Sequence, residues 1–140
     1  NSGSRVTLGD RVESDGRVSI TTGYSSRLNI GSGVYFNDGA VISCLGKIDI
    51  GENTLFGPGV KIFDNNHRFS REEGVSRECT AGCITVGRSC WIASDVVLLK
   101  GTDIGDNCVI GAGCIIRGKV PAGSLVTRSG EQTTRPIETR

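Results

Sequence analysis

The 140-residue chain contains a single histidine, His67, in a polar segment that reads FDNNHRFSREEGVSRECTAG. A neutral imidazole takes up and releases protons near neutral pH, so a histidine in such a segment is a candidate general base. A lone histidine is more often an ordinary surface residue. The choice between the two interpretations depends on the elements that hold the segment.

A second chemical feature is the set of six cysteines: Cys44, Cys79, Cys83, Cys90, Cys108 and Cys114. None of them forms a CxxC pair, and a single histidine leaves too few partners for a zinc-finger spacing. Three of them fall on the small positions of a six-residue repeat, where cysteine packs as a small apolar residue. We therefore expect reduced thiols, no bound metal and a cytoplasmic protein.

Composition excludes several classes of partner. The 16 basic and 15 acidic residues leave a net charge of +1, which gives no electrostatic case for nucleic-acid binding. No apolar run approaches the roughly 20 residues that span a membrane. The length fits one domain over residues 1–140. Residues 1–4 start without Met and are set aside as a scar or a trimmed end, and residues 127–140 are expected to form an extended tail.

The strongest pattern in the sequence has a period of six. Large apolar residues recur at every sixth position, in the series Val86, Ile92, Leu98, Ile104, Ile110 and Ile116. Small or β-branched residues follow each of them four places later, in the series Cys90, Val96, Thr102, Cys108, Cys114 and Val120. Such regularity predicts a repeat architecture in which each unit is one short strand and a corner.

Three units of six make one triangular coil of about eighteen residues, because a short strand and a corner turn the chain by one side. Residue i then lies against residue i+18 at the ~4.8 Å spacing of paired strands. The predicted stacks are Val86 on Ile104, Ile92 on Ile110, Leu98 on Ile116 and Cys90 on Cys108. Large side chains are expected to fill the narrow interior, and small ones to fit the corners.

The pattern extends toward the N-terminus with irregularities. Residues six apart recur in two earlier groups: Ile30, Phe36 and Ile42, and then Ile50, Phe56 and Ile62. Because the two groups begin twenty residues apart, about two residues should bulge near Leu45-Gly46-Lys47. Leu8-Gly9 with Val12 looks like another unit. Residues 14–28 fit only loosely and are predicted to form an irregular first coil.

One long interruption divides the repeat. Ile62 and Val86 are 24 positions apart, whereas the repeat predicts a spacing of six between successive large apolar residues. About eighteen residues, roughly 63–82, are therefore predicted to leave the coil as a loop. Long loops on a rigid scaffold are usually functional. Since His67 lies at the root of this loop, its interpretation as a general base is favoured.

A β-sandwich is the other all-β interpretation of regular short strands. Sandwich strands recur every 8–12 residues with alternating polarity, which a strict period of six does not match. The repeat alone leaves the handedness of the coil open, since parallel crossovers are normally right-handed.

The run GRSCWIASDVVLLKGTDIGDNCVIGAGCIIRGKVPAGSLV resembles the C-terminal coils of hexapeptide-repeat acyltransferases, and IFDNNHRF resembles the segment that carries their catalytic histidine. The resemblance covers about residues 28–126. It points to the branch of galactoside, maltose and polysaccharide O-acetyltransferases. It implies a left-handed parallel β-helix, a homotrimer with active sites between neighbouring subunits, and acetyl-CoA as the donor.

The same resemblance implies roles for individual residues. His67 matches the base that takes a proton from an acceptor hydroxyl as its oxygen attacks the thioester, by direct transfer in a ternary complex. Asn37, in VYFNDG, matches an active-site asparagine whose amide can hydrogen-bond the acceptor or its neighbours. Ser94 matches a residue whose backbone amide faces the thioester carbonyl and can stabilise the oxyanion.

Further residues are implied in binding acetyl-CoA beside Ser94. Ala112, one coil later, matches a small residue that lets the pantetheine approach. Trp91 holds the usual aromatic place before IAS, over the cosubstrate groove or at the subunit interface. Arg117 and Lys119 match the coil that holds the nucleotide end, where basic side chains suit phosphates. The sequence departs from the family here, with Arg-Gly in place of a common Thr-Lys pair and TRSGEQTTRPIETR in place of a Gly-Asn-Pro-Ala segment and a helix.

Other functions are compatible with parts of this sequence pattern. γ-Class carbonic anhydrases share the architecture but need three histidines on zinc, which one histidine cannot supply. A non-catalytic β-helix assembly module stays open, although it would not need a loop that opens on a histidine. Xenobiotic, antibiotic and amino-sugar acetyltransferases are alternatives within the class. We expect the acceptor to be a hydroxyl of a sugar, or of a surface polysaccharide or its precursor.

Overall fold

A computed structural model of the protein describes residues 3–129 and 131–137. In these residues the chain forms twenty short β-strands and no helix. Successive strands lie on three different faces of a prism, so that each strand pairs in parallel with the strand three positions later in the coil. No helix in the described ranges is long and apolar enough to cross a membrane.

The three faces share one direction of strand stacking, from the first coil to the last. Face 1 contains β1 (Arg5–Leu8), β4 (Arg27–Ile30), β7 (Lys47–Ile50), β12 (Cys83–Val86), β15 (Asp103–Ile104) and β18 (Lys119–Val120). Face 2 contains β2 (Glu13–Asp15), β5 (Tyr35–Asn37), β8 (Leu55–Phe56), β13 (Trp91–Ile92), β16 (Val109–Ile110) and β19 (Ser124–Ser129), with β20 (Glu131–Pro136) antiparallel at its end. Face 3 contains β3 (Val18–Thr22), β6 (Ala40–Cys44), β9 (Lys61–Phe63), β14 (Val97–Leu98) and β17 (Ile115–Ile116).

Three corners join the faces. We call the turn from face 1 to face 2 corner 1, the turn from face 2 to face 3 corner 2, and the turn from face 3 to face 1 corner 3. A two-stranded antiparallel hairpin of β10 (Asn65–Ser70) and β11 (Gly74–Ala81) leaves the prism at corner 3. The extruded loop predicted over 63–82 is therefore present as an ordered β-hairpin.

The core is a single apolar column inside the prism. Val86 pairs with Ile104, Ile92 with Ile110 and Leu98 with Ile116, which confirms the predicted stacks. Phe36 lies against Phe56 on face 2, with ring centroids 4.9 Å apart and planes inclined by 7°. Each two-residue strand turns one side chain inward and its neighbour outward, because successive residues of a strand point to opposite sides.

Coil length varies at one corner only. The inward residues are six apart across corners 1 and 2 in every coil, as from Ile50 to Phe56 to Ile62. Across corner 3 the spacing of inward residues varies from coil to coil. It is ten residues from Ile20 to Ile30, and in the four coils that follow it is eight, 24, six and four residues. Insertions at a corner can project into solvent without disturbing the apolar column. Corner 3 is therefore the edge where this chain departs most from its own repeat.

The first coil corrects one prediction. Residues 14–28 form a regular coil, with Ser14 paired to Phe36 and Ile20 paired to Ile42. The pattern is hidden in the sequence because Ser14 holds a position that is large and apolar in later coils, and because corner 3 contains four additional residues. Leu8 and Ile20 occupy inward positions here but are 57% and 40% exposed.

The last coil corrects two further predictions. Val120 is not a small corner residue, since corner 3 is two residues shorter at this point and Val120 pairs with Ile104 in the buried column. Residues 127–129 and 131–136 are not an extended tail, because β19 and β20 form an antiparallel hairpin with Leu125 opposite Arg135. Residue 130 and residues 138–140 of the expected tail lie outside the described residues.

We expect Ile116→Ala to lower the free energy of unfolding by about 2–5 kcal/mol, because the substitution leaves a cavity in a closely packed interior. Ile116 is fully buried, whereas its neighbour Ile115 points outward from the same strand and is 56% exposed. The control is Asp103→Ala, at an exposed outward position of face 1, which should change stability by only about 0.5 kcal/mol. Denaturant unfolding of both variants measures the difference, and equal losses would contradict the inward and outward assignment.

Candidate active site

The hairpin carries His67 in its first strand. Asn65 faces Ala81 across the hairpin, His67 faces Cys79, and the pairing is irregular between His67 and Phe69. The side chains of both strands are largely exposed. The predicted location of His67, at the root of the interruption, agrees with the structure.

One hydrogen bond sets the tautomer of His67. Its Nδ1 lies 2.9 Å from the carbonyl oxygen of Ser76 on the opposite strand. Because a carbonyl oxygen only accepts, Nδ1 must carry the proton and donate it. In the neutral ring, Nε2 is then the nitrogen with a lone pair available to accept a proton. The thiol of Cys79 lies 3.6 Å from the same Nδ1.

A groove of about 580 Å³ lies between the hairpin and corner 3. Its lining comprises Asn65, Asn66, His67, Phe69, Leu99, Lys100 and Arg117. Lys100 donates from Nζ to Thr80 Oγ1 at 3.0 Å, so the outgoing strand of the hairpin is tied to the next coil. Among the described residues, neither Lys100 nor Arg117 has a carboxylate within ion-pair distance. The groove therefore places a potential base beside two positive charges and an exposed aromatic ring.

The other predicted catalytic residues lie at corner 2. Asn37 ends β5 and donates one N–H of Nδ2 to the carbonyl oxygen of Phe56 at 2.8 Å. Its amide oxygen and the second Nδ2 hydrogen are left to bind a ligand. Ser94 and Ala112 occupy equivalent places in two successive turns of this corner, where Gly113 N donates to Ser94 O at 2.9 Å.

Two backbone donors stand open at this corner. The amides of Ser94 and Ala112 donate to no acceptor within the part of the chain that the structure describes. They belong to adjacent coils, so they are spaced by about one strand separation of ~4.8 Å. Two unpaired N–H groups in a row on an exposed edge suit the carbonyl oxygens of an extended amide-containing ligand.

The structure brings some predicted residues together and separates others. His67 and Arg117 line the same groove at corner 3. Ser94 and Ala112 lie on corner 2, with the whole of face 3 between the two edges. One chain therefore presents His67 and the backbone donors on different edges of the prism.

Trp91 and Lys119 lie on neither edge. Trp91 points outward from face 2 and is 54% exposed. Lys119 begins β18 on face 1, with Arg117 two residues before it in the groove. The pair predicted to bind phosphates is thus divided between corner 3 and the neighbouring face.

Sequence reasoning missed Arg128. This residue was expected in the tail, but it lies in β19 with its guanidinium beside corner 2, where a Cβ on Gly113 would be 3.3 Å from Nη1. Burial raises the pKa of the Cys114 thiol, and the positive charge of Arg128 opposes that rise. The only sequence signal was an arginine at the point where the chain leaves the family pattern.

The cysteines divide into four buried and two exposed residues. Cys44, Cys90, Cys108 and Cys114 are buried, whereas Cys79 and Cys83 are exposed. Burial, with the negative charge of Asp64 as the next cause, raises the pKa of the Cys44 thiol to about 11. The buried cysteines act as small apolar side chains of the core.

Comparison with known proteins identifies the repeat. Residues 83–118 match the family model for the bacterial transferase hexapeptide (six repeats). This chain carries that repeat. Galactoside O-acetyltransferase of Escherichia coli (strain K12) is 37% identical over 117 residues, which are 84% of this chain and 58% of that protein. The chain thus spans less than two thirds of the length of this relative.

Solved structures show the same fold. A hexapeptide-repeat acetyltransferase from Vibrio cholerae superposes with a TM-score of 0.82 at 22% identity, over 95% of this chain and 74% of that chain. A galactoside acetyltransferase in complex with coenzyme A superposes with a TM-score of 0.67 at 26% identity. The superposition covers 95% of this chain and 66% of that chain. The predicted left-handed parallel β-helix and the resemblance to hexapeptide-repeat acyltransferases are confirmed.

Proposed function

We propose that the protein is an acyl-CoA-dependent O-acetyltransferase that moves an acetyl group from acetyl-CoA to a hydroxyl of a sugar or of a polysaccharide precursor. The observation that carries the proposal is the His67 tautomer, which leaves Nε2 unprotonated in a groove. The names of the relatives support the donor and the acceptor class, since one is a galactoside O-acetyltransferase and a solved one binds coenzyme A.

The chemistry is a direct transfer. Nε2 of His67 takes the proton of the acceptor hydroxyl as its oxygen attacks the carbonyl carbon of the thioester. The tetrahedral intermediate collapses with cleavage of the carbon–sulfur bond, and the departing thiolate receives the proton back from the imidazolium. The carbonyl of Ser76 accepts from Nδ1–H throughout and stabilises the transient positive charge of the ring.

Corner 2 supplies the donors that this reaction needs. The open amide of Ser94 is proposed to bind the developing oxyanion, and backbone donors of this kind are a large part of acyl-transfer catalysis. The open amide of Ala112 would take a carbonyl of the pantetheine, whose approach the small side chain permits. The free amide oxygen of Asn37 is proposed to accept from the acceptor sugar.

The separation of the two edges supports a shared site in a homotrimer. A closed heterologous ring places one surface of each copy against a different surface of the next copy. Corner 3 of one copy, with His67, would then lie beside corner 2 of its neighbour, with Ser94. Outward apolar residues on faces 2 and 3 favour the burial of those faces: Leu55 is 48% exposed, Trp91 54% and Ile115 56%.

The phosphates of acetyl-CoA are proposed to lie near the last coil. Arg128 adjoins corner 2 in the coil after Ala112, on the edge that would hold the pantetheine. Arg117 and Lys119 remain proposed contributors from corner 3 and face 1. Arginine suits this role because its planar guanidinium can bind two phosphate oxygens at once. The cytoplasmic location stays a prediction from the cysteine content.

We expect His67→Ala to reduce kcat for acetyl transfer by about 10²–10⁴-fold, because general base catalysis contributes a factor of that size. The control is Arg88→Ala, which removes an exposed residue at corner 1 and should leave kcat unchanged. Steady-state release of free CoA thiol, with a saccharide acceptor, measures both variants. A folded His67→Ala protein with the wild-type rate would remove His67 from the mechanism and leave the proposed function without its carrying observation.

Subunit complementation tests the shared site. His67→Ala damages corner 3, and Ala112→Trp is expected to block the approach of acetyl-CoA at corner 2. If each site combines corner 3 of one copy with corner 2 of the next, random mixed trimers of the two inactive chains regain about a quarter of the wild-type sites. Each variant alone is the control. Mixed assemblies with no activity, or a stable monomer in sedimentation at micromolar concentration, would contradict the shared site.

We expect Arg128→Gln to weaken acetyl-CoA binding by about tenfold, since a charge-assisted contact to phosphate contributes roughly 1.5–3 kcal/mol. Arg135→Gln, on the partner strand of the same hairpin, makes the same change of charge and should bind normally. Calorimetric titration with acetyl-CoA measures both. The loss should disappear when acetyl-pantetheine replaces acetyl-CoA, because that ligand carries no phosphate; a loss that persists would assign Arg128 a role in folding instead.

A further inference from the structure

The residue at the point where the hairpin leaves the prism is a buried aspartate. Asp64 follows β9 and precedes β10, and its side chain is fully buried. Its Oδ1 accepts from Leu45 N at 2.8 Å, and its Oδ2 accepts from Gly46 N at 2.8 Å. A buried carboxylate is costly unless its oxygens are hydrogen-bonded, so the two backbone donors account for its presence here.

Asp64 also joins the chain segments that meet at the root. Its N–H donates to Ser43 O at 3.3 Å, and its carbonyl oxygen accepts from Gly82 N at 2.8 Å. The amide of Asn65 donates to Asp64 Oδ1 and to Ser43 Oγ, both at 3.1 Å. The preceding coil, the incoming strand and the outgoing end of the hairpin are thus linked through this one residue.

The donors to the carboxylate come from another insertion at corner 3. Leu45 and Gly46 account for the two additional residues of the coil from Ile30 to Ile50, which stands directly before the hairpin coil. Successive backbone N–H groups in such a turn form a concave site for an anion. A Cβ on Gly46 would collide with the carbonyl oxygen of Gly82, so the bulge also fits closely against the end of the hairpin.

Little else fixes the position of the hairpin. The side chains of β10 and β11 are almost all exposed, so apolar packing contributes little to its orientation. The bond from Lys100 to Thr80 ties only the outgoing strand. His67 lies three residues after Asp64, and its ring partner Ser76 belongs to the same hairpin. The contacts at the base of the hairpin, around Asp64, therefore determine the position of the imidazole relative to the prism.

We propose that Asp64, held by the two-residue bulge at Leu45-Gly46, is a positioning residue that sets the place of His67 in the groove. The proposal rests on the proposed function. Asp64 is not the carboxylate of a catalytic triad, because Nδ1 of His67 is bonded to Ser76 O and Asp64 is bonded to backbone amides. Displacement of a reacting group by about 1 Å can cost 10²-fold in rate.

The first test is Asp64→Asn, which keeps the shape but turns an amide N–H₂ toward a backbone N–H. We expect kcat to fall by about 10–100-fold with an unchanged KM for acetyl-CoA, since corner 2 is untouched. Asp106→Asn is the matched control, because its carboxylate accepts from Arg88 N at 2.8 Å at a corner without a hairpin. That variant should keep the wild-type kcat.

A double-mutant cycle separates positioning from general stability. In the His67→Ala background, Asp64→Asn should have no further effect on kcat, because the group that it positions is gone. An equal fold-loss in both backgrounds would overturn the proposal. If Asp64→Asn does not fold, Asn65→Ala replaces it in the same cycle, with a smaller loss expected because it removes only the bonds to Asp64 and Ser43.

Amide hydrogen exchange gives a readout that does not depend on activity. Asp64→Asn should accelerate exchange across residues 65–81 and leave residues 97–116 as protected as in the wild type. Unchanged exchange in the hairpin would overturn the proposal even if kcat fell. If wild-type protein transfers acetyl to no acceptor while hairpin exchange responds as expected, the proposed function fails and the structural role of Asp64 stands.

Discussion

Every part of this protein depends on the stacking of one coil on the next. Each inward residue lies against its equivalent in the neighbouring coils, as Ile92 does against Phe56 and Ile110. The backbone bonds of each coil are made to the coils before and after it, so a single unit can bury neither its apolar side nor its polar backbone alone. The narrow interior holds a column of apolar side chains, and this column fixes the register of all three faces.

Because the register is fixed inside, variation in length is confined to the surface. Corners 1 and 2 keep six residues between inward positions throughout the chain, whereas corner 3 ranges from four to 24. This edge combines the bulge at Leu45-Gly46, the hairpin with His67, and the shortened turn at Arg117. The bulge and the hairpin meet through Asp64, so two departures from the repeat support each other. A rigid prism with one adaptable edge is a sound support for a reacting group.

The proposed site combines residues from two edges of the prism that do not meet within one chain. His67, the proposed base at corner 3, and the unpaired amides of Ser94 and Ala112 at corner 2 are separated by face 3. An assembly of parallel prisms can bring two such edges together without any change in the coil. The exposed apolar residues on faces 2 and 3 give a physical reason for that assembly, since their burial removes apolar surface from water.

The sequence by itself determined the coil, since the six-residue period of Val86, Ile92 and Leu98 requires strands whose inward residues stack. It also determined the interruption at His67, because the period fails there and resumes in phase. Only the tertiary structure decided the tautomer of His67, the separation of the two edges and the placement of Arg128. It also revealed the hydrogen bonds of the buried Asp64, whose partners lie about twenty residues away. A periodic pattern reports which residues face inward, but hydrogen bonds between irregular corners depend on how coils of unequal length stack.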